Sequence, residues 1–183
     1  MTIGITGGIG SGKSTIVKEL SRRGYTIYDC DKEAKHIIET NDSVRKAIIA
    51  LLGERTFEGR NYNTKYVAER VFAEPKLLEQ LNAVVHPAVK KDIMQSKPNF
   101  VESALLYESG LDAICDVIFH IDAPEQIRIE RTMSRDRCDE KSVRARINAQ
   151  QTKPHKGALV ILNDGSRTIE EIADLIQQKI YDY

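Results

Sequence analysis

Residues 7–14 read Gly-Gly-Ile-Gly-Ser-Gly-Lys-Ser, a complete G-x-x-x-x-G-K-S string. A short apolar run precedes it and a helix-like segment follows, the setting in which such a string wraps a polyphosphate. Successive backbone N–H groups must face phosphate oxygens with no side chain in the way, so Gly7, Gly8, Gly10 and Gly12 keep the chain permissive. Lys13 is then placed to reach β- and γ-phosphates, and Ser14 to offer a hydroxyl to Mg2+. The remaining residues through Thr15 belong to the same nucleotide-binding stretch. A loop of this kind serves kinases, GTP-dependent switches and motor ATPases alike, so other residues must discriminate.

A guanine-reading N-K-x-D string is absent from the sequence; the nearest stretch, Asn63-Thr64-Lys65-Tyr66, lacks the aspartate. Asp29-Cys30-Asp31 follows the second apolar run, where a carboxylate could orient an acceptor hydroxyl and take its proton. Strand alternation puts Asp29 and Asp31 on one side if the strand continues, and an aspartate there is equally suited to cap the following helix. Spacing leaves both readings, and both aspartates, open. Arg128, Arg131 and Arg135 stand at i, i+3 and i+7 with Arg137, Arg144 and Arg146 beyond them, so the first three share a helix face. Such a face suits a lid that closes over transferring oxygens and excludes water. Pairing with Glu130, Asp136, Asp139 and Glu140 is the blander alternative, and the phosphate loop favours the lid. Glu102 and Glu108 flank the end of the third strand, Glu102 being the better placed to hold Mg2+ through water. His86-Pro87 reads as a packed or capping histidine with a proline marking a helix break or start.

These groups need a scaffold. Apolar runs at residues 3–6, 25–28, 100–104, 117–121 and 159–162 alternate with helical patterns, which predicts a three-layer α/β fold with a five-stranded, mostly parallel sheet. Ligands in such a sheet bind at the carboxyl ends of its strands, where the loop stands. Between residues 31 and 98 helical patterns continue without a convincing strand, including 67–72 and 75–94, and 56–64 reads as a surface loop. We therefore expect one domain: a core of residues 1–31, 98–123 and 151–183, a helical insertion at 32–97 and a lid at 124–150. Residues 168–181 form a closing amphipathic helix with Ile169, Ile172, Ala173, Ile176 and Ile180 inward.

With 183 residues the chain can bury a core without disulfides. Basic and acidic residues balance at 27 each, so the whole molecule offers no field that argues for a nucleic-acid or membrane partner, and neither is expected. Cys30, Cys115 and Cys138 are odd in number and widely spaced, as expected of reduced thiols in the cytoplasm. No signal peptide or membrane-spanning run is expected. Oligomeric state stays open, a monomer being the simpler expectation.

The order of strings resembles the dephospho-coenzyme A kinase family. Residues 5–15, Asp29-Cys30-Asp31, the stretch 81–89 with its His86-Pro87-Ala88-Val89, Leu105-Leu106-Tyr107-Glu108, residues 127–136 with Arg146 and Gln150, and Asn163-Asp164-Gly165 span most of the chain. The resemblance implies ATP- and Mg2+-dependent phosphorylation of the ribose 3′-hydroxyl of dephospho-coenzyme A. It implies Asp31 as the base and Lys13 and Arg131 as stabilisers of the transferring group. Ser14 would hold Mg2+, and Gly8, Ile9, Gly10, Ser11, Gly12 and Thr15, with Asn163 and Gly165 near adenine, would complete the ATP site. Acceptor contacts would fall on Thr6, Asp31, Lys35, His86, Leu106, Tyr107 and Glu108. The arginines Arg128, Arg131, Arg135 and Arg146 would form the lid. The sequence departs from the family pattern at Cys30, at Lys35 and Thr64 where arginines are usual, at Glu102 and Ala104, and at Gly157-Ala158.

Overall fold

The structure, a computed structural model, describes residues 1–150 and 153–182. The chain divides into two compact units, one of residues 1–28 and 98–183 and one of residues 29–97.

The first unit is built on a five-stranded sheet in the order β2-β5-β1-β6-β7. Its strands are β1 (Ile3–Thr6), β2 (Ile27–Asp29), β5 (Phe100–Glu102), β6 (Val117–Asp122) and β7 (Leu159–Leu162). Central β1 pairs in parallel with β5 and β6, with Ile5 opposite both Glu102 and Phe119. All four residues of β1 are buried, the continuous apolar pattern of a strand covered on both faces. Helices α1 (Lys13–Arg22) and α8 (Ile169–Tyr181) cover one face. Ile16, Val17 and Leu20 of α1 and Ile172, Ala173 and Ile176 of α8 close on Ile3, Ile5, Phe119, Ile121 and Ile161 in one buried core. Thr168 starts α8 through a capping box with Glu171, so the closing helix begins where its polar signature places it. A smaller pair, α6 (Glu125–Asp136) and α7 (Glu140–Ala149), buries its own cluster of Ile129, Val143 and Ile147.

The second unit is helical: α2 (Cys30–Thr40), α3 (Asp42–Leu52), α4 (Thr64–Ala73) and α5 (Pro75–Ser96). Leu77, Leu81, Val85, Val89 and Ile93 are buried along α5, a stripe at four-residue steps that faces its neighbours. Pro87 lies inside α5 and does not end it, which corrects the expected helix break. Pro87 and Ala83, whose carbonyl loses its usual donor four residues on, both lie on the exposed face, where water can serve that carbonyl. The expected surface loop at 56–64 also holds a small antiparallel hairpin of β3 (Phe57–Glu58) and β4 (Asn61–Tyr62). Its strands are two residues long, too short to leave a period in the sequence, and Arg45 stacks over the buried Phe57 ring at 4.0 Å.

Candidate functional site

The loop between β1 and α1 is held from both sides, and its neighbours explain its glycines. Gly10 has φ +77, and a Cβ there would run into the Arg128 carbonyl and stand 2.7 Å from Thr132 Oγ1, both on α6. Gly12 has φ +87, and its Cβ would overlap the Asn163 carboxamide. Both positions combine a left-handed backbone with close packing, which only glycine meets. Asn163 follows β7 and is 3% exposed. Its Nδ2 donates to the Ser11 carbonyl at 2.8 Å, and its own carbonyl accepts from Arg131 Nη1 at 3.0 Å. This buried chain of contacts links loop, β7 and α6.

At the end of the loop, α1 begins on Gly12 with no side chain capping it. Thr15 N–H donates to the Gly12 carbonyl at 3.1 Å, while the N–H groups before it precede any intrahelical acceptor; the helix dipole adds partial positive charge, and Ser14 and Thr15 are exposed in that turn. An uncapped helix start behind a glycine cradle fits an anion such as a polyphosphate. Thr6 Oγ1 and Ser11 Oγ are buried and have no hydrogen-bond partner among the described residues, so polar capacity remains beneath the loop as well. Lys13 Nζ forms an ion pair with Glu102 Oε1, both side chains largely covered. The pair fixes the ammonium at the carboxyl end of β5. Glu108, by contrast, is exposed.

The arginines divide. Arg128 Nε donates to the Ile9 carbonyl at 2.8 Å and Arg131 engages Asn163, so these two reach the loop. Arg135 and Arg146 instead converge on Asp136, whose carboxyl they hold far below its ordinary value through those hydrogen bonds. Arg144 pairs with Glu140 and Glu125. The blander pairing pattern therefore describes the outer part of the cluster.

The loop after β5 also differs from expectation. Leu106 is fully buried, filling space above Gly4, where a Cβ would stand 2.8 Å from its Cδ2. Its side chain is a core contact, whereas the neighbouring Leu105 is exposed. Tyr107 stacks on His155 with ring centroids 3.7 Å apart, and its hydroxyl lies 3.5 Å from His120 Nδ1. Burial raises the Tyr107 pKa and lowers that of His120. This aromatic group escaped the sequence reading because His120 and His155 are 35 positions apart and carry no motif. The inward side of β6 is the signal that could have found His120. Gly165 stands at φ +90 in open space.

In the second unit the two aspartates separate. The strand ends at Asp29, whose Oδ1 accepts the Lys32 N–H at 3.0 Å as the cap of α2. Asp31 lies in the first turn of α2 and is exposed. Lys35 is exposed, 3.9 Å from Glu39. His86 is partly covered on α5, and desolvation lowers its pKa.

Fold and loop together define a phosphate-loop kinase. The dephospho-CoA kinase family model matches residues 1–168. A dephospho-CoA kinase of Porphyromonas gingivalis is 40% identical over 82% of this chain and 78% of its own length. One of Bacteroides fragilis is 36% identical over 98% and 94%. A crystal structure of TT1252 from Thermus thermophilus superposes with a TM-score of 0.79 at 30% identity, covering 100% of this chain and 97% of that one. The chain belongs to the dephospho-CoA kinase family. Among the described residues no helix is long and apolar enough to cross a membrane.

Proposed function

We propose that the chain transfers the γ-phosphoryl group of ATP to the ribose 3′-hydroxyl of dephospho-coenzyme A, giving coenzyme A and ADP. The observation that carries this reading is the loop itself, glycine-cradled against α6 and Asn163, opening an uncapped α1, with Lys13 held at the end of β5. The family's reaction then supplies the acceptor.

In this mechanism the Gly10, Gly12, Lys13 and Ser14 amides bind the phosphates, and Lys13 and Arg131 neutralise charge on the transferring oxygens. The new bond joins the 3′-oxygen to phosphorus as the bond to the ADP oxygen breaks. Asp31 orients the hydroxyl and takes its proton. Asp29 Oδ1 caps α2, which supports the family's assignment of Asp31 to that role. Ser14 and Glu102 offer hard oxygen donors, directly and through water, that fit Mg2+; bound there, the ion neutralises the β- and γ-phosphate oxygens. Among the described residues no group of three or more His, Cys, Asp or Glu could hold a metal ion. Thr6, Lys35, His86, Tyr107 and Glu108 form the acceptor side in this reading. Cys30, Cys115 and Cys138 form no disulfide among the described residues, which suits a reducing cytoplasm.

The test is ATP consumption by the purified protein with Mg2+, comparing dephospho-coenzyme A, adenosine, shikimate and no acceptor, with products identified by mass. Coenzyme A formed from the first alone is the expected result. Acceptor-independent hydrolysis, or phosphate on another compound, would overturn the reading.

A further inference from the structure

Ile9, the third residue of the phosphate loop, is gripped at each of its chemical parts by the α6/α7 pair. Its side chain packs against the buried cluster of Ile129, Val143 and Ile147, beside Met133 and Cys138. Its carbonyl accepts from Arg128 Nε at 2.8 Å, and its N–H donates to Gln150 Oε1 at 2.8 Å. Gln150 is the residue that ends α7, and its other amide atom, Nε2, donates to the Ala104 carbonyl at 3.4 Å. A carboxamide is the group that can do both, because it accepts at one atom and donates at the other.

We propose that Ile9 is the joint holding the phosphate loop and the α6/α7 pair as one unit, and that Gln150 is a positioning residue for nucleotide binding. The inference rests on the reading that this loop takes ATP. With its N–H, carbonyl and side chain engaged by α6, α7 and Gln150, Ile9 serves the loop as an anchor; Ser11 N–H closes a turn on the Gly8 carbonyl at 3.1 Å, and the Gly10 and Gly12 amides on either side of it are left to face phosphate. Gly10, next in sequence, packs directly on the backbone of Arg128, so any displacement of Ile9 is passed to the first of those amides. The other tie, through Asn163, acts on Ser11 and Gly12 from β7. The Asn163 tie also involves Arg131 of α6, and among the described residues it is the Ile9 end that engages α7.

The experiment uses the full chain. ATP·Mg2+ binding is measured by titration calorimetry without acceptor for the wild type, Gln150→Leu, Ile9→Ala and the double variant, beside steady-state kinetics. Gln150→Leu keeps similar bulk and removes both hydrogen bonds. It is expected to weaken ATP binding about 3- to 10-fold, the scale of one neutral hydrogen bond, with KM for the acceptor unchanged. Because both single changes loosen one joint, their effects are expected to be non-additive in the double variant. Unchanged ATP affinity, equal rises in both KM values, or additive effects would overturn the proposal. Hydrogen exchange on the wild type gives a second measurement that needs no variant to fold: the Ile9 amide is expected to be protected, and free exchange there would also overturn it. Absence of coenzyme A formation by a wild type that binds ATP would sink the acceptor reading while leaving the joint to be judged on binding.

Discussion

The loop and the inserted helices solve opposite problems. Around the loop, side chains are tied to protein: Asn163 to Ser11 and Arg131, Arg128 and Gln150 to Ile9, and Lys13 to Glu102. In the helical unit the corresponding candidates face solvent, with Asp31 and Lys35 exposed and His86 only partly covered. Donors fixed before the ligand arrives need no reorganisation in the transition state, and that suits a site whose task is to stabilise phosphoryl charge. Exposed side chains on a helix leave their positions free to vary in sequence without disturbing a core. The departures at Lys35 and Thr64 fall at such exposed positions of α2 and α4.

The sharpest way to break this comparison is to remove the exposed residue with the largest proposed role. Asp31→Ala is expected to lower turnover roughly 10²- to 10⁴-fold with ATP affinity retained, since nothing that holds the loop is touched. Single-turnover kinetics beside ATP titration would measure both, and unchanged turnover would remove Asp31 from the chemistry. On the other side of the comparison, Gly12→Ala places a Cβ on the Asn163 carboxamide at φ +87. The strain and the lost Asn163 contact are expected to cost about 1–3 kcal/mol of stability, with ATP binding weakened by tenfold or more. Thermal unfolding and calorimetry would test this, and a variant that binds ATP as the wild type does would show that the loop tolerates what its packing forbids.

The difference between the regions also explains what could be read from sequence. The loop was legible because its chemistry demands glycines, a lysine and a hydroxyl at fixed spacing between a strand and a helix. The sheet was legible because fully buried strands such as β1 are continuously apolar. Which aspartate caps α2 was not legible, since Asp29 and Asp31 differ only in where the strand stops, and that is decided by the Lys32 N–H. Leu105 and Leu106 are alike in sequence; packing over Gly4 makes one core and leaves the other exposed. The β3–β4 hairpin is too short for a period. Gln150, Asn163 and the Tyr107, His120 and His155 group join residues distant in the chain, and their contacts exist only once the sheet has ordered them.

A milder change sharpens the acceptor side. Lys35→Arg introduces the residue that the family resemblance implies at an exposed position 3.9 Å from Glu39. A planar guanidinium can grip a phosphate with two parallel hydrogen bonds where an ammonium cannot. The KM for dephospho-coenzyme A is expected to fall about 2- to 5-fold, the modest effect of an exposed charge, with KM for ATP unchanged. A higher acceptor KM would place Lys35 outside the acceptor contacts.

The smallest effect is expected behind the loop, where the far end of α1 is clamped to α8. Glu19 accepts from Arg22 and Arg23, and Arg23 Nη1 reaches Asp174 at 2.6 Å while its Nη2 donates to the Glu170 carbonyl. Hydrogen bonds from Arg22 and then Arg23 lower the Glu19 pKa from 4.5 to about 2. A carboxyl depressed on folding adds stability that is fully present above its unfolded value and is lost as pH falls through its folded value. Glu19→Gln is therefore expected to lower the unfolding midpoint slightly at pH 7, less than Gly12→Ala does. The gap from wild type should begin to close below about pH 4.5 and vanish near pH 2. ATP affinity should hold, because this clamp secures the end of α1 that is remote from the phosphates. A pH-independent gap would mean that Glu19 stabilises by packing alone. A loss of ATP affinity would mean that the loop's rigidity is transmitted along α1 as well as through Asn163 and Ile9.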